Sequence, residues 1–246
     1  DGTNTPLGWF EYAKRTHTAT YGSAELRNTV RYGVSIAATT STDDTHPDLS
    51  PTAIATWGQT TAPLSAAVVY GPGDTVSATD LKDGTVYALD ADGRTTDTAV
   101  YSGTNQAGWR IDSTDYADNG NVARTLTAAN RDRALNPGSY PELDDLGLAS
   151  ATGAVIADAL STRSYYSGDG VDVTDVYGPA HIVVLPDGTQ APARVHDHTD
   201  YGTTNYPTAN PSSWTSGAPQ HTATRTTQSA TLTLSAVPLN ETDTTE

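Results

Sequence analysis

Leu81-Lys-Asp-Gly-Thr-Val-Tyr-Ala-Leu-Asp-Ala-Asp-Gly-Arg-Thr-Thr-Asp-Thr-Ala-Val-Tyr101 decides the fold class. Its Asp83-Gly84 and Asp92-Gly93 pairs punctuate runs rich in Val, Tyr, Ala and Thr. Asp-Gly suits two-residue hairpin corners, because both central residues must reach positive φ to match the right-handed twist of the strands. The stretch therefore predicts a β-meander, and Asp187-Gly188, within Leu185–Thr189, predicts another corner of the same kind.

The same pattern extends in both directions. Strands are predicted near Thr16–Tyr21, Thr29–Thr39, Thr52–Trp57, Leu64–Tyr70, Thr85–Leu89, Thr98–Tyr101, Gly108–Asp112 and Val122–Ala128. Further candidates are Val171–Tyr177, His181–Leu185, Ala191–His196 and Ala223–Val237. In the last, Ala230, Leu232, Leu234 and Ala236 alternate with Thr231, Thr233 and Ser235, the period of a half-buried strand. Val30, Tyr32, Val34 and Ile36 alternate in the same way. One helix is predicted at Ser150–Thr162, where Val155, Ile156, Ala159 and Leu160 fall at helical spacing behind Ser150 and Thr152. Helical turns are expected at Pro141–Leu148 and at the end of Arg124–Leu135. The class is all-β: a β-sandwich or barrel, the eight-stranded jelly roll first, with one short helical insert. Strands beyond eight would form an added β lobe near residues 90–170 of a single 1–246 domain carrying N- and C-terminal arms. Residues 199–221 and the tail Asn240–Glu246 are expected to be ordered only by lying against something else.

Composition excludes several classes. The chain has 246 residues, a net charge of −16 and no cysteine, so neither disulfides nor thiolate metal sites can form. No run approaches the roughly 18 apolar residues of a membrane span. Thirteen basic residues against 29 acidic ones leave no phosphate-neutralising stripe, so direct nucleic-acid binding is not expected. The acids are 24 Asp to 5 Glu, the bases 11 Arg to 2 Lys, and Thr occurs 42 times. Short carboxylates with little lysine suit concentrated salt, where a Debye length of about 3 Å at 1 M silences mutual repulsion. An alanine-rich apolar set, 33 residues, fits too, because excluded salts strengthen apolar burial. A surface protein of a GC-rich actinobacterium or phage is the competing source of such a composition. Asp1 is not an initiator residue, so the amino terminus is expected to have been trimmed or processed, a cleaved leader being one of the open readings, and no charged-plus-apolar signal segment is expected in what remains.

Candidate sites are few. His196 and His198, two apart on a strand, face one way, and Asp200 or His221 could complete a metal shell. Asp90, Asp92 and Asp97 surround a glycine turn as calcium ligands do, without the twelve-residue loop or its closing Glu. Gly168–Asp175 has the same character. The competing reading of both stretches is a set of solvating surface carboxylates that bind calcium, sodium or potassium loosely, with no dedicated cofactor. No G-x-S-x-G, patterned catalytic serine or phosphate loop is present, so an enzyme is not expected. Trp9, Phe10 and Tyr12, expected to precede the first strand, are the candidate interface anchors. Asn240-Glu-Thr242 is a glycosylation sequon, relevant only to an exported chain.

In size, acidic composition and strand content the whole chain is similar to the major capsid proteins of haloarchaeal icosahedral viruses with an internal membrane. That resemblance implies upright single jelly rolls assembled as homo-oligomeric capsomers in a virion, beside other virion proteins and near a viral membrane vesicle, with terminal arms on neighbouring subunits. The alternatives are a turret, spike or tail component of such a virus, and a secreted binding module at the surface of a halophilic cell.

Overall fold

The computed structural model describes residues 9–16, 25–38, 43–103, 106–202, 220–234 and 236; for 9–16, 25–27 and 106 it describes the backbone element only. Among the described residues twelve strands form one antiparallel sheet: β1 (Trp9–Thr16), β2 (Glu25–Tyr32), β3 (Ser65–Tyr70), β4 (Thr85–Leu89), β5 (Thr95–Tyr101) and β6 (Trp109–Tyr116) come first. β7 (Val122–Leu126), β8 (Thr162–Tyr166), β9 (Val173–Tyr177), β10 (His181–Val184), β11 (Gln190–Tyr201) and β12 (Ala223–Thr231) follow. From β1 to β9 every strand pairs with its neighbour in sequence; β9 and β10 then lie end to end along one edge of β11, and β12 pairs with its other edge. The architecture is mostly β, as expected.

Register turns the alternation of each strand into rows across the sheet. Ala66, Ala88, Asp97, Ser113 and Leu126 stand opposite one another from β3 to β7, beside a second row of Val68, Val86, Ala99 and Ile111. All nine are buried. On the other face Tyr87 is exposed, as the period of two requires. Among the described residues four short α-helices, α1 (Pro51–Ala55), α2 (Ala128–Leu135), α3 (Glu142–Asp145) and α4 (Gly153–Ala159), contribute Ile54, Ala134, Leu143, Ile156, Ala157 and Ala159 to the same core. Small side chains in both layers let helix and sheet approach closely. The helices also approach one another closely: at Gly153, which opens α4, a Cβ would meet the carbonyl oxygen of Thr56 at the end of α1 at 2.6 Å and that of Ala134 in α2 at 3.0 Å. The stretch 90–170 shares this core with strands on either side of it.

The expected Thr52–Trp57 strand is instead α1. Ser50 caps it by accepting the Ala53 N–H, and Pro51 occupies the first turn, where its missing N–H leaves no bond unmade. Both expected helical turns are helices, α2 and α3, and the expected Ser150–Thr162 helix is α4; Thr127 caps α2 and Thr152 caps α4. Val155 points outward, more than half exposed, while Ile156 is fully buried. β2 stops at Tyr32 because Gly33 takes φ +67°, so Val34 and Ile36 reach the core from a loop rather than a strand. β8 lies in a run not expected to be a strand. β12 ends at Thr231, where the Thr233 N–H bonds back to the Thr231 carbonyl; Ala230 and Leu232 are exposed and only Leu234 and Ala236 turn inward.

The corners are three-residue loops rather than two. Ala91-Asp92-Gly93, Asp118-Asn119-Gly120 and Pro186-Asp187-Gly188 each end on a glycine at φ +78° to +85°, and each is closed by backbone bonds at its base. Gly84 is no hairpin corner; it leads into β4, and a Cβ there would meet Val68 Cγ2 at 2.4 Å.

Charge is also used inside. Arg124 and Asp115, facing each other across β6 and β7, form an ion pair at 3.0 Å with both side chains at least 95 % buried. Arg124 also donates to the Trp57 and Gly58 carbonyls, and Asp115 accepts the Thr60 and Thr61 N–H groups, so the pair ties the loop after α1 to the sheet. Arg194 on β11 is fully buried and donates to the carbonyls of Asp158, Ser161, Gly178 and Leu234. That guanidinium holds the end of α4, the β9–β10 turn and the segment beyond β12 together.

Candidate functional site

β11 runs through Thr199 to Tyr201, residues expected to form a loop, and this extension builds the site. A period of two puts His196, His198 and Asp200 on one face. The β9 register sets Tyr177 opposite His196 and Asp175 opposite His198. Asp175 Oδ1 then lies 2.8 Å from His196 Nε2 and 2.8 Å from His198 Nδ1. The other ring nitrogen of His198 lies 3.2 Å from Asp200 Oδ1. His196 stacks on the buried Tyr177 ring, centroids 4.2 Å apart and planes 3° off parallel, while Tyr165 meets Tyr177 edge-on. The histidine plane is therefore fixed by packing before any ligand arrives.

A carboxylate oxygen only accepts, so the rings donate to Asp175. With carboxylates at both nitrogens, His198 is suited to the imidazolium, and its pKa is raised, mainly by its bond to Asp175, against the effect of burial. Burial pushes the Asp175 carboxyl up, but the bonds from His198, His196 and Thr174 outweigh it and leave the pKa lowered. The Asp175, His196 and His198 ligand atoms all lie within 4.8 Å of one another. Imidazole with a carboxylate is a donor set for zinc, copper or nickel rather than for calcium.

Beyond His198 opens a cleft of about 440 Å³ lined by Asp169, Asp172, Asp200, Tyr201 and His221, among others. His221, at φ +62°, pairs with Asp172 at 2.8 Å. It thus stands across the cleft as part of a second histidine–carboxylate pair.

Of the residues expected to bind metal, His196 and His198 are brought together, whereas Asp200 touches His198 from behind. Asp175 supplies the carboxylate; it was expected only as the end of the calcium-like Gly168–Asp175 stretch and not beside the histidines, although in Val173-Thr-Asp-Val-Tyr177 it shares the phase of the strand's buried tyrosine. Asp90, Asp92 and Asp97 do not converge. Asp90 accepts the Asp92 and Arg94 N–H groups and, with Asp92, pairs with the Arg94 side chain at the hairpin tip. Asp97 is buried beneath the sheet, accepting from Gln59 and Ser113. Trp9, Phe10 and Tyr12 lie within β1 rather than ahead of the first strand, and their side chains are outside the described residues. The tail Asn240–Glu246, residues 203–219 and most of the expected Thr16–Tyr21 strand also lie outside them. No helix among the described residues is long and apolar enough to cross a membrane. Compared with known protein families, curated proteins and solved structures, the chain matches none.

Proposed function

We propose that the protein is a self-assembling structural subunit that works in concentrated salt, the capsid shell subunit of a haloarchaeal virus. One observation carries the assembly half of this reading. β12 is a nine-residue strand with seven residues exposed, and among the described residues its only strand partner is β11. Its outer edge offers a row of backbone donors and acceptors, and such an edge is a template for pairing with another chain. β1 is the open end at the other side of the sheet, where β2 is its strand partner. A second copy, or another protein of the same shell, is the partner this geometry fits.

The charge supports the setting. Two copies at −16 each repel over a Debye length of about 10 Å at 0.1 M salt, but over only about 3 Å at 1 M. Edge pairing then becomes accessible in brine and is suppressed in dilute buffer. The test is electron microscopy and sedimentation of the full chain in about 3 M KCl and after dialysis below about 0.5 M. Large regular assemblies at high salt that loosen on dialysis are expected. A lone monomer at every salt concentration, whether or not it binds cells or sugars, would overturn the reading.

A further inference from the structure

We propose that Asp175, His196 and His198 form a binding site for one divalent transition-metal ion of the zinc class, with Asp200 as the positioning residue for His198. This site is independent of assembly: it lies within one chain and bridges β9 to β11.

The geometry fits such an ion without rebuilding. Four ligands at about 2.0–2.1 Å around zinc stand roughly 3.3 Å from one another. Asp175 Oδ1 is now 2.8 Å from each histidine nitrogen, so entry of the ion opens these separations by about half an ångström. Rotations of the exposed side of His198 and of the Asp175 carboxylate supply that movement, while Tyr177 holds His196 still. The ion replaces the two N–H···O bonds with metal–ligand bonds: His198 releases its Nδ1 proton to solvent and keeps Nε2–H, and His196 gives up its Nε2 proton and carries the remaining one on Nδ1. His196 binds through Nε2 and His198 through Nδ1.

Asp200 completes the logic. A histidine bound to metal through one nitrogen commonly donates the other N–H to a carboxylate, which fixes tautomer and ring orientation and raises ligand basicity. Asp200 Oδ1 stands 3.2 Å from His198 Nε2, at the nitrogen that Nδ1 ligation leaves free. Sequence order alone suggested Asp200 as a ligand; the strand pairing gives that place to Asp175. With three protein ligands, the fourth coordination position belongs to water.

The probe is zinc chloride, titrated calorimetrically into the chelator-treated full chain in molar KCl at neutral pH. Cobalt(II) chloride, read by the visible absorption of low-coordinate cobalt, is the spectroscopic counterpart. The control is His196→Ala/His198→Ala, which keeps every one of the 29 carboxylates and so keeps the diffuse cation background. One zinc per wild-type chain is expected, with a zinc-dependent rise in melting temperature, and the double variant should lose both. Asp200→Asn should bind about 10–100-fold more weakly. Should the double variant fail to fold, His198→Gln, at a ring more than a third exposed, provides the same comparison. Equal zinc binding by wild type and a folded histidine variant would overturn the site, and unchanged affinity in Asp200→Asn would overturn the role given to Asp200.

Discussion

Asp115→Ala is the sharpest probe of how this acidic chain uses charge. The substitution leaves Arg124, 3 % exposed, with no carboxylate, and strips the Thr60 and Thr61 N–H groups of an acceptor at 2.7 and 2.8 Å. Removing one partner of a buried pair costs about 3–5 kcal/mol. Thr60 is exposed, so water can serve its amide, while the half-buried Thr61 amide adds to the cost and places the expected loss toward the upper part of that range. For a chain of this size each kcal/mol moves the melting temperature by about 2–4 °C, which gives a drop of about 6–20 °C. The assay is thermal unfolding by circular dichroism at several KCl concentrations. Because the pair is screened from solvent, the drop should be the same in 1 M and 3 M KCl, while overall stability changes with salt. Asp115→Leu/Arg124→Met, which removes both charges, should lose less than Asp115→Ala alone. A drop below about 3 °C, or one that fades as salt rises, would refute the claim that this pair holds the loop after α1 to the sheet.

Gly153→Ala adds helix propensity worth about 1 kcal/mol but drives a Cβ to 2.6 Å from a backbone oxygen, an overpacking that costs about 1–3 kcal/mol. Net destabilisation is expected in urea unfolding, with Gly138→Ala, which meets nothing within 4 Å, as the benign control. Thr152→Ala should cost about 0.5–2 kcal/mol through loss of the α4 cap, read as a lower urea midpoint at unchanged slope. Burial pushes the Asp97 carboxyl above its ordinary value, against the bonds from Gln59 and Ser113. A raised folded-state pKa contributes stability that is complete below the unfolded pKa, about 3.9, and is lost as pH rises through the folded value. Asp97→Asn should therefore be at least as stable as wild type at pH 7, and wild type should gain on it as pH falls toward 4; melting curves across that range check the sign.

The sheet was legible wherever a strand was bounded by its own punctuation. Thr85–Leu89 matches β4 at both ends because glycine and aspartate flank it, and Gly93 and Gly188 mark real corners. Where the local signal was ambiguous, context decided. Pro51-Thr-Ala-Ile-Ala55 carries β-branched residues that suit a strand, but Ser50 and Pro51 form a helix start, and the buried face of Ile54 needs only one turn. β8, Thr162-Arg-Ser-Tyr-Tyr166, has no apolar alternation, since each of its residues is only half-buried. The site was half legible: the spacing of His196 and His198 follows from strand period, whereas Asp175 comes from another strand, 21 residues earlier, and only register could supply it.

The order of pairing also bears on how the chain reaches its fold. From β1 to β9 each strand docks on the one made just before it, and apart from the long β2–β3 and β7–β8 connections the links between partners are short, which lowers the entropic cost of each pairing. A nascent chain could add hairpins one by one during synthesis. The end of the sheet follows the same rule: β9 and β10 run end to end along one edge of β11, so β11 folds back from the Pro186–Gly188 corner over both as the second arm of one long hairpin. The histidine cluster therefore closes only when that hairpin has zipped back from its corner as far as Asp175, and metal capture would report a late step of folding rather than its start.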